Sequence, residues 1–289
     1  MDTTNELTSL IKLLDEPDPT IYRDIEKRIL SYGNEARDLL KKTNTQITDQ
    51  VCRRRIHELL SKINLHYIKQ ELLKWKNSND KDLLTGMLLI AEYRYPEIDK
   101  EKIHKEIDLI RKDIWLELND NITALEKVKI FNHVIFDIHG FKANKQNFYA
   151  PENSYINDLL DFKQGNPISL SILYSVLAQK LDVPVYGVNL PEHFILAYVN
   201  TPTPQAARMD DILFYLNAFN SGIVFTQKEI QDFLAKIQIT PQDYHFLPCS
   251  NVVILQRVIN NLIHSYHQIK QQEKVIELDN LNQILQMNG

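Results

Sequence analysis

Between Gly165 and Tyr198 the chain reads GNPISLSILYSVLAQKLDVPVYGVNLPEHFILAY. Covalent acyl chemistry needs three roles: a nucleophile activated at a helix start, an imidazole base, and a carboxylate or amide that orients the imidazole. Here Gly165-Asn-Pro opens an apolar helix that carries Ser169 and Ser171, Leu181-Asp-Val-Pro closes it, and His193 precedes a strand-like run. No cysteine lies in the segment, because the chain's two are Cys52 and Cys249. Each candidate also has a structural reading. A serine within a helix commonly bonds to a backbone carbonyl, and a histidine at a strand start can be a hydrogen-bonded, partly buried group rather than a base.

Other chemistries find less to work with. His264 and His267 stand three apart on an expected helix, and His133 and His139 flank Ile135 to Ile138, but no carboxylate or cysteine completes a four-ligand set. The seven glycines form neither GxGxxG nor GxxxxGK. No metal and no cofactor are expected.

The elements that position these residues are legible from periodicity. Leu7, Leu10, Ile11 and Leu14 form one apolar stripe, Asp-Glu-Pro-Asp-Pro ends that helix, and Thr20 reads as the cap of a second with Ile21, Ile25 and Ile29 or Leu30 inside. A third helix begins at Ala36, and longer ones are expected at about 48–76, 80–92 and 99–118, followed by one from Asn121 to near Gly140. Short helices joined by tight breaks have the look of stacked hairpins of the HEAT type. The expected sheet is antiparallel, with strands near Val185 to Asn189, Phe194 to Val199 and Ile212 to Phe219, and a polar loop at 201–210. Thr226 with Glu229 predicts a capped helix, and Val252 to Ile269 with Glu273 to Leu285 predicts a closing hairpin. The fold class is α+β, predominantly α. Its expected division is a helical region at 1–115, a core at 116–248 and a hairpin at 249–289.

Three pieces of the core carry a resemblance: Phe148-Tyr-Ala-Pro-Glu-Asn-Ser-Tyr-Ile-Asn, Gly165-Asn-Pro-Ile-Ser-Leu-Ser-Ile-Leu-Tyr and Gly187-Val-Asn-Leu-Pro-Glu-His-Phe. Residues 118–225 resemble the SirB-type branch of the transglutaminase-like proteins, also found in one class of F-box proteins. The resemblance implies a transglutaminase-like core between an N-terminal helical region and a TPR-like C-terminal pair. It also implies where the three roles fall. Counted back from Leu181-Asp-Val-Pro, where such chains usually show Leu-Gly-Ile-Pro, the nucleophile slot falls on Pro167. The base slot falls on His193, preceded by Glu192 where Pro-Gly-His is usual, and the orienting slot falls on Asn217 where Asp is usual. Proline has no nucleophile to offer. The resemblance therefore implies a remnant site, in a branch that commonly lacks the cysteine and has no settled activity. The expected role is a non-catalytic interaction or regulatory scaffold with another protein as partner. The alternative is a hydrolase or an amide- or acyl-transfer enzyme in which His193 works with Ser169, Ser171 or a distant cysteine.

Composition bounds the rest. The 289 residues are 44% hydrophobic and 25% charged, which fits a globular chain rather than a disordered one. The 38 acidic against 33 basic residues give a net charge of -5, so a duplex-binding surface is not expected, and Arg53, Arg54 and Arg55 read as a solvated helix face. A start without a basic, apolar leader and the absence of an apolar run of ~20 residues exclude a secretory signal and a membrane span from the expectation. Two cysteines without CxxC spacing fit a reducing cytoplasm.

Overall fold

The computed structural model describes residues 3–44, 47–201 and 207–286, so residues 202–206 of the loop expected at 201–210 lie outside it. Among the described residues, twelve α-helices and six short strands give an α+β, predominantly α architecture, as the sequence indicates. The chain forms two compact units, residues 1–74 and 75–289. Among the described residues no helix is long and apolar enough to cross a membrane.

The first unit holds α1 (Thr3–Ile11), α2 (Pro19–Ser31), α3 (Asn34–Asn44) and most of α4 (Gln50–Asn77). Its core is the expected stripe: Leu7, Ile11 and Leu14 pack with Ile25, Ile29, Ala36, Leu40, Ile56 and Leu59. Two details differ from expectation. The cap of α2 is Asp18, whose Oδ1 accepts the Thr20 N–H at 2.7 Å, because Pro19 takes the first helical position where its missing N–H and fixed φ suit the turn. Ile21 is 49% exposed and lies outside the buried face. The three arginines of α4 have intramolecular partners: Arg53 donates to the Ile47 carbonyl, Arg54 faces Glu58 at 3.7 Å, and Arg55 donates to the carbonyls of Leu14 and Glu16 over the Tyr22 ring.

In the second unit two helices are buried almost all round, as all-apolar helices must be. These are α5 (Leu83–Arg94) and α9 (Pro167–Gln179). Between them in sequence come α6 (Lys100–Glu117), α7 (Ala124–Asn132), a π-helical stretch at His133–Ile138 and α8 (Ile156–Phe162). A two-residue parallel pair, β1 (Lys142–Ala143) with β2 (Gln164–Gly165), draws the loop after residue 143 alongside the start of α9.

The main sheet is antiparallel in the order β3 (Val185–Val188), β4 (Ile195–Val199), β5 (Ile212–Asn217), β6 (Ile223–Phe225). Register pairs Val185 with Tyr198 and Leu196 with Leu216. Every residue of β4 is buried, because α9 packs on one face of the sheet and a cluster including Ile230, Leu234 and Phe246 covers the other. Each buried aliphatic side chain contributes roughly 1.5–3 kcal/mol. The third expected strand stops at Asn217, where a 3₁₀ turn at Ala218–Asn220 leads into β6, an additional edge strand. Then α10 (Gln227–Lys236) follows its cap Thr226, whose N–H and hydroxyl both donate to Glu229. The chain closes with α11 (Asn251–Gln268) and α12 (Gln272–Gln286) packed on one another.

Candidate functional site

The head of α9 is tightly specified. Asn166 caps it: Oδ1 accepts the Ser169 N–H at 2.9 Å while Ser169 Oγ accepts the Asn166 N–H at 3.1 Å. This reciprocal pair satisfies N–H groups that a helix start otherwise leaves unbonded. Pro167 occupies the first helical position. The Asn166 Nδ2 donates to Ser154 Oγ at 2.8 Å, tying the helix head to the Pro-Glu-Asn-Ser-Tyr stretch. That stretch spends its polar groups on position. Asn153 Nδ2 donates to the carbonyls of Asn147 and Phe148 and its Oδ1 accepts from Asn144, while Glu152 pairs with Arg94 at 2.8 Å. One motif thus holds both the helix start and the aromatic loop beside it.

The candidate residues are distributed as follows. Ser169 is 1% exposed and committed to Asn166, and Ser171 is fully buried with no described hydrogen-bond partner for its hydroxyl. Neither hydroxyl can meet a substrate without opening the helix. Asn217 turns Oδ1 onto the Phe219 N–H at 3.0 Å, capping the turn that follows β5. The His193 ring packs on Phe233 of α10 with centroids 4.8 Å apart, and its imidazole has no hydrogen bond to a described residue. Partial burial draws the His193 pKa below its ordinary value; the Glu192 carboxylate opposes that shift and the Arg257 guanidinium adds to it. The imidazole therefore favours its neutral form.

Pro167 and the two residues flanking His193 do meet. Pro167, Glu192 and Phe194 line one cavity of about 440 Å³, with Phe148 and Tyr149 on the loop side and Arg257, Asn261 and His264 on α11. His193 itself is not among the lining residues. Phe148 stands edge-on to Tyr149, and the Tyr149 ring lies 5.3 Å from that of His264. The α11 residues carry a signal in the sequence: 257, 261 and 264 are spaced four and three apart, so they form one polar stripe, beside a second polar row of Gln256, Asn260 and His267.

The cysteines lie elsewhere. Cys249 lines a separate cavity of about 490 Å³ with Gly187, Asp182 and Lys81, and burial pushes its thiol up to about 12. Cys52 belongs to the first unit and its thiol is also raised, by burial and then by Asp49. A thiol held protonated is a poor nucleophile. Among the described residues no group of three or more His, Cys, Asp or Glu is arranged to hold a metal ion.

Backbone geometry explains two departures noted in the sequence. Glu192 and Asp182, which stand where Gly is usual in chains of this type, have φ of +62° and +54°. This left-handed region costs a residue with a Cβ about 1 kcal/mol or more. Glu192→Gly and Asp182→Gly are each expected to raise stability by about 0.5–1 kcal/mol, the relief of strain outweighing the added freedom of the unfolded chain. Urea unfolding checks this; a loss of stability in both variants would show that the side chains compensate the strain.

The profile of the transglutaminase-like superfamily matches residues 101–260. Among curated proteins, a UPF0162 protein of Xylella fastidiosa (strain Temecula1) is 28% identical over 213 residues, 69% of this chain and 72% of that protein. A UPF0162 protein of Vibrio cholerae is 27% identical over 153 residues, 53% of each chain. F-box only protein 21 of Homo sapiens is 33% identical over 132 residues, 46% of this chain, and the chain spans 20% of that longer protein. No solved structure gives a significant match.

Proposed function

The chain belongs to the transglutaminase-like superfamily, and from that premise we propose that it is a member without acyl-transfer activity, whose core serves as a protein-binding scaffold. The observation that carries this is Pro167 at the first position of the core helix, where the SirB-type resemblance expects the nucleophile. Three others support it. The nearest hydroxyls are enclosed, Asn217 is committed to its own turn, and the His193 ring rests on Phe233. A base needs its partner within about 3 Å, or one water away, and no hydroxyl or thiol is hydrogen-bonded to this imidazole among the described residues. The alternative, hydrolysis or amide transfer by His193 with Ser169, Ser171 or a cysteine, draws no support from these positions.

In this reading the helices of 1–115 and the TPR-like pair of 249–289 flank the core at 116–248 and offer further partner surface. The occurrence of a similar segment as one fifth of F-box only protein 21 is consistent with a module that operates beside other segments. Free Cys52 and Cys249 fit a cytoplasmic setting.

The test is turnover. Purified protein is incubated with a glutamine-containing peptide and a primary amine, and separately with a p-nitrophenyl ester. No release above the buffer blank is expected with either. Turnover that disappears in His193→Ala would overturn the proposal.

A further inference from the structure

On the wall of the Pro167 cavity, α11 presents Arg257, Asn261 and His264. Arg257 is partly buried, yet among the described residues its guanidinium has neither a carboxylate within ion-pair distance nor a hydrogen-bond acceptor. Its five N–H donors are spent on no protein acceptor, which leaves them available to an oxyanion that enters the cavity. One turn further along, the partly buried carboxamide of Asn261 is likewise free of described partners. Burial lowers the Arg257 pKa, and Glu192 opposes that shift without closing to an ion pair.

The surroundings narrow the ligand. A guanidinium fork matches a carboxylate or another planar oxyanion in two parallel hydrogen bonds. A carboxamide, with one donor group and one acceptor, matches a peptide unit. Phe148 and Tyr149 are exposed rings on a loop pinned by Asn153, so they present contact area with little freedom to lose. The first turn of α9, entering the same cavity at Pro167, adds partial positive charge. Exposed Glu192 at the rim supplies a single opposing charge.

We propose that this cavity receives an extended acidic peptide segment of a partner protein, its Asp or Glu carboxylate paired with Arg257, its backbone meeting Asn261, and an adjacent side chain resting on Tyr149 and Phe148. The inference rests on the protein-binding reading of the core and gives that site its ligand chemistry. Glu192 limits the acidic character to one position, because a second carboxylate near the rim meets a like charge.

Three pools of fluorescein-labelled, end-capped nonapeptides test it by fluorescence polarisation on the full chain: central Asp, central Asn and central phosphoserine, with randomised uncharged flanks. The Asp pool is expected to bind about tenfold more tightly than the Asn pool, as expected for a charge-assisted pair of about 1.5 kcal/mol or more. Arg257→Gln should abolish that preference and Arg257→Lys restore only part of it. Glu192→Gln should tighten Asp-pool binding about threefold by removing the like charge, a gain that impaired folding does not produce. Preference for phosphoserine without preference for Asp overturns the carboxylate assignment. Equal Asp and Asn binding that is lost in Pro167→Trp, which fills the cavity, overturns the acidic inference and leaves the protein-binding site standing. Binding that survives Pro167→Trp, or no binding by any pool, overturns both.

Discussion

Gly165→Ala is expected to destabilise the second unit by about 2–4 kcal/mol. A Cβ on Gly165 would stand 2.5 Å from Ser169 Oγ and 2.7 Å from Leu159 Cδ1. Both distances are far inside van der Waals contact, and neither neighbour is free to give way. Leu159 is fully buried, and Ser169 is half of the reciprocal cap with Asn166. The added methyl therefore overpacks the core against Leu159 and also expels the Ser169 hydroxyl and breaks the cap, each at about 1–2 kcal/mol. A double-mutant cycle separates the two. Ser169→Ala alone should cost about 1 kcal/mol, and in the Gly165→Ala background it should cost nothing or restore stability, since it removes one clashing atom. Urea unfolding of the four proteins measures the coupling. Strict additivity would mean that the Gly165 contact is relieved by backbone movement and that the head of α9 is looser than these distances imply.

That dependence was partly visible in the sequence. Gly165-Asn-Pro announces a helix start through a capping residue followed by proline, and α9 begins at Pro167 as those residues require. The β-branched run after Val185 and the wholly apolar run after His193 likewise become β3 and β4. Other features carry no periodic signal. A three-residue strand such as Ile223-Val-Phe is too short for alternation to register, and it exists because β5 offers it an edge. At Thr20 and Asp18 the two residues compete for one cap, and the proline between them decides. The stripe of Arg257, Asn261 and His264 was hidden for a different reason. A polar helix face looks solvated from sequence alone, and only the loop carrying Phe148 and Tyr149, whose rings meet Phe219 and His264 from distant parts of the sequence, makes it the wall of a cavity. Asn217 shows the converse: a residue matched to a role by resemblance spends its oxygen on a local turn.

Arg94→Leu is the second large expected effect, about 3 kcal/mol of lost stability, because one guanidinium bonds the neighbouring Tyr95 and joins α5 to two other segments at once. Nε donates to the Tyr95 hydroxyl at 3.0 Å, Nη1 to Tyr266 of α11 at 2.5 Å and Nη2 to Glu152 at 2.8 Å. Those acceptors are themselves linked, Tyr95 donating to buried Asp158 and Tyr266 sharing a hydrogen bond with buried Tyr155. Leucine fills part of the volume and satisfies none of these groups. Their losses are unequal. Glu152 is partly open to water, so a pair with it alone is worth under about 1 kcal/mol, and Glu152→Gln should cost no more than that. The Tyr266 hydroxyl has no such access and bears most of the expected loss: it keeps its bond to Tyr155 but loses its charged donor, and a hydrogen bond to a charged group contributes about 1.5–3 kcal/mol. Tyr266→Phe removes that group with its bond, so Arg94→Leu in a Tyr266→Phe background should cost markedly less than in the wild type. Equal costs in both backgrounds, read by chemical denaturation, would mean that Arg94 acts through Glu152 and Tyr95 alone. In that case α11, with the polar stripe it presents to the cavity, is held against α5 by apolar packing and not by this network.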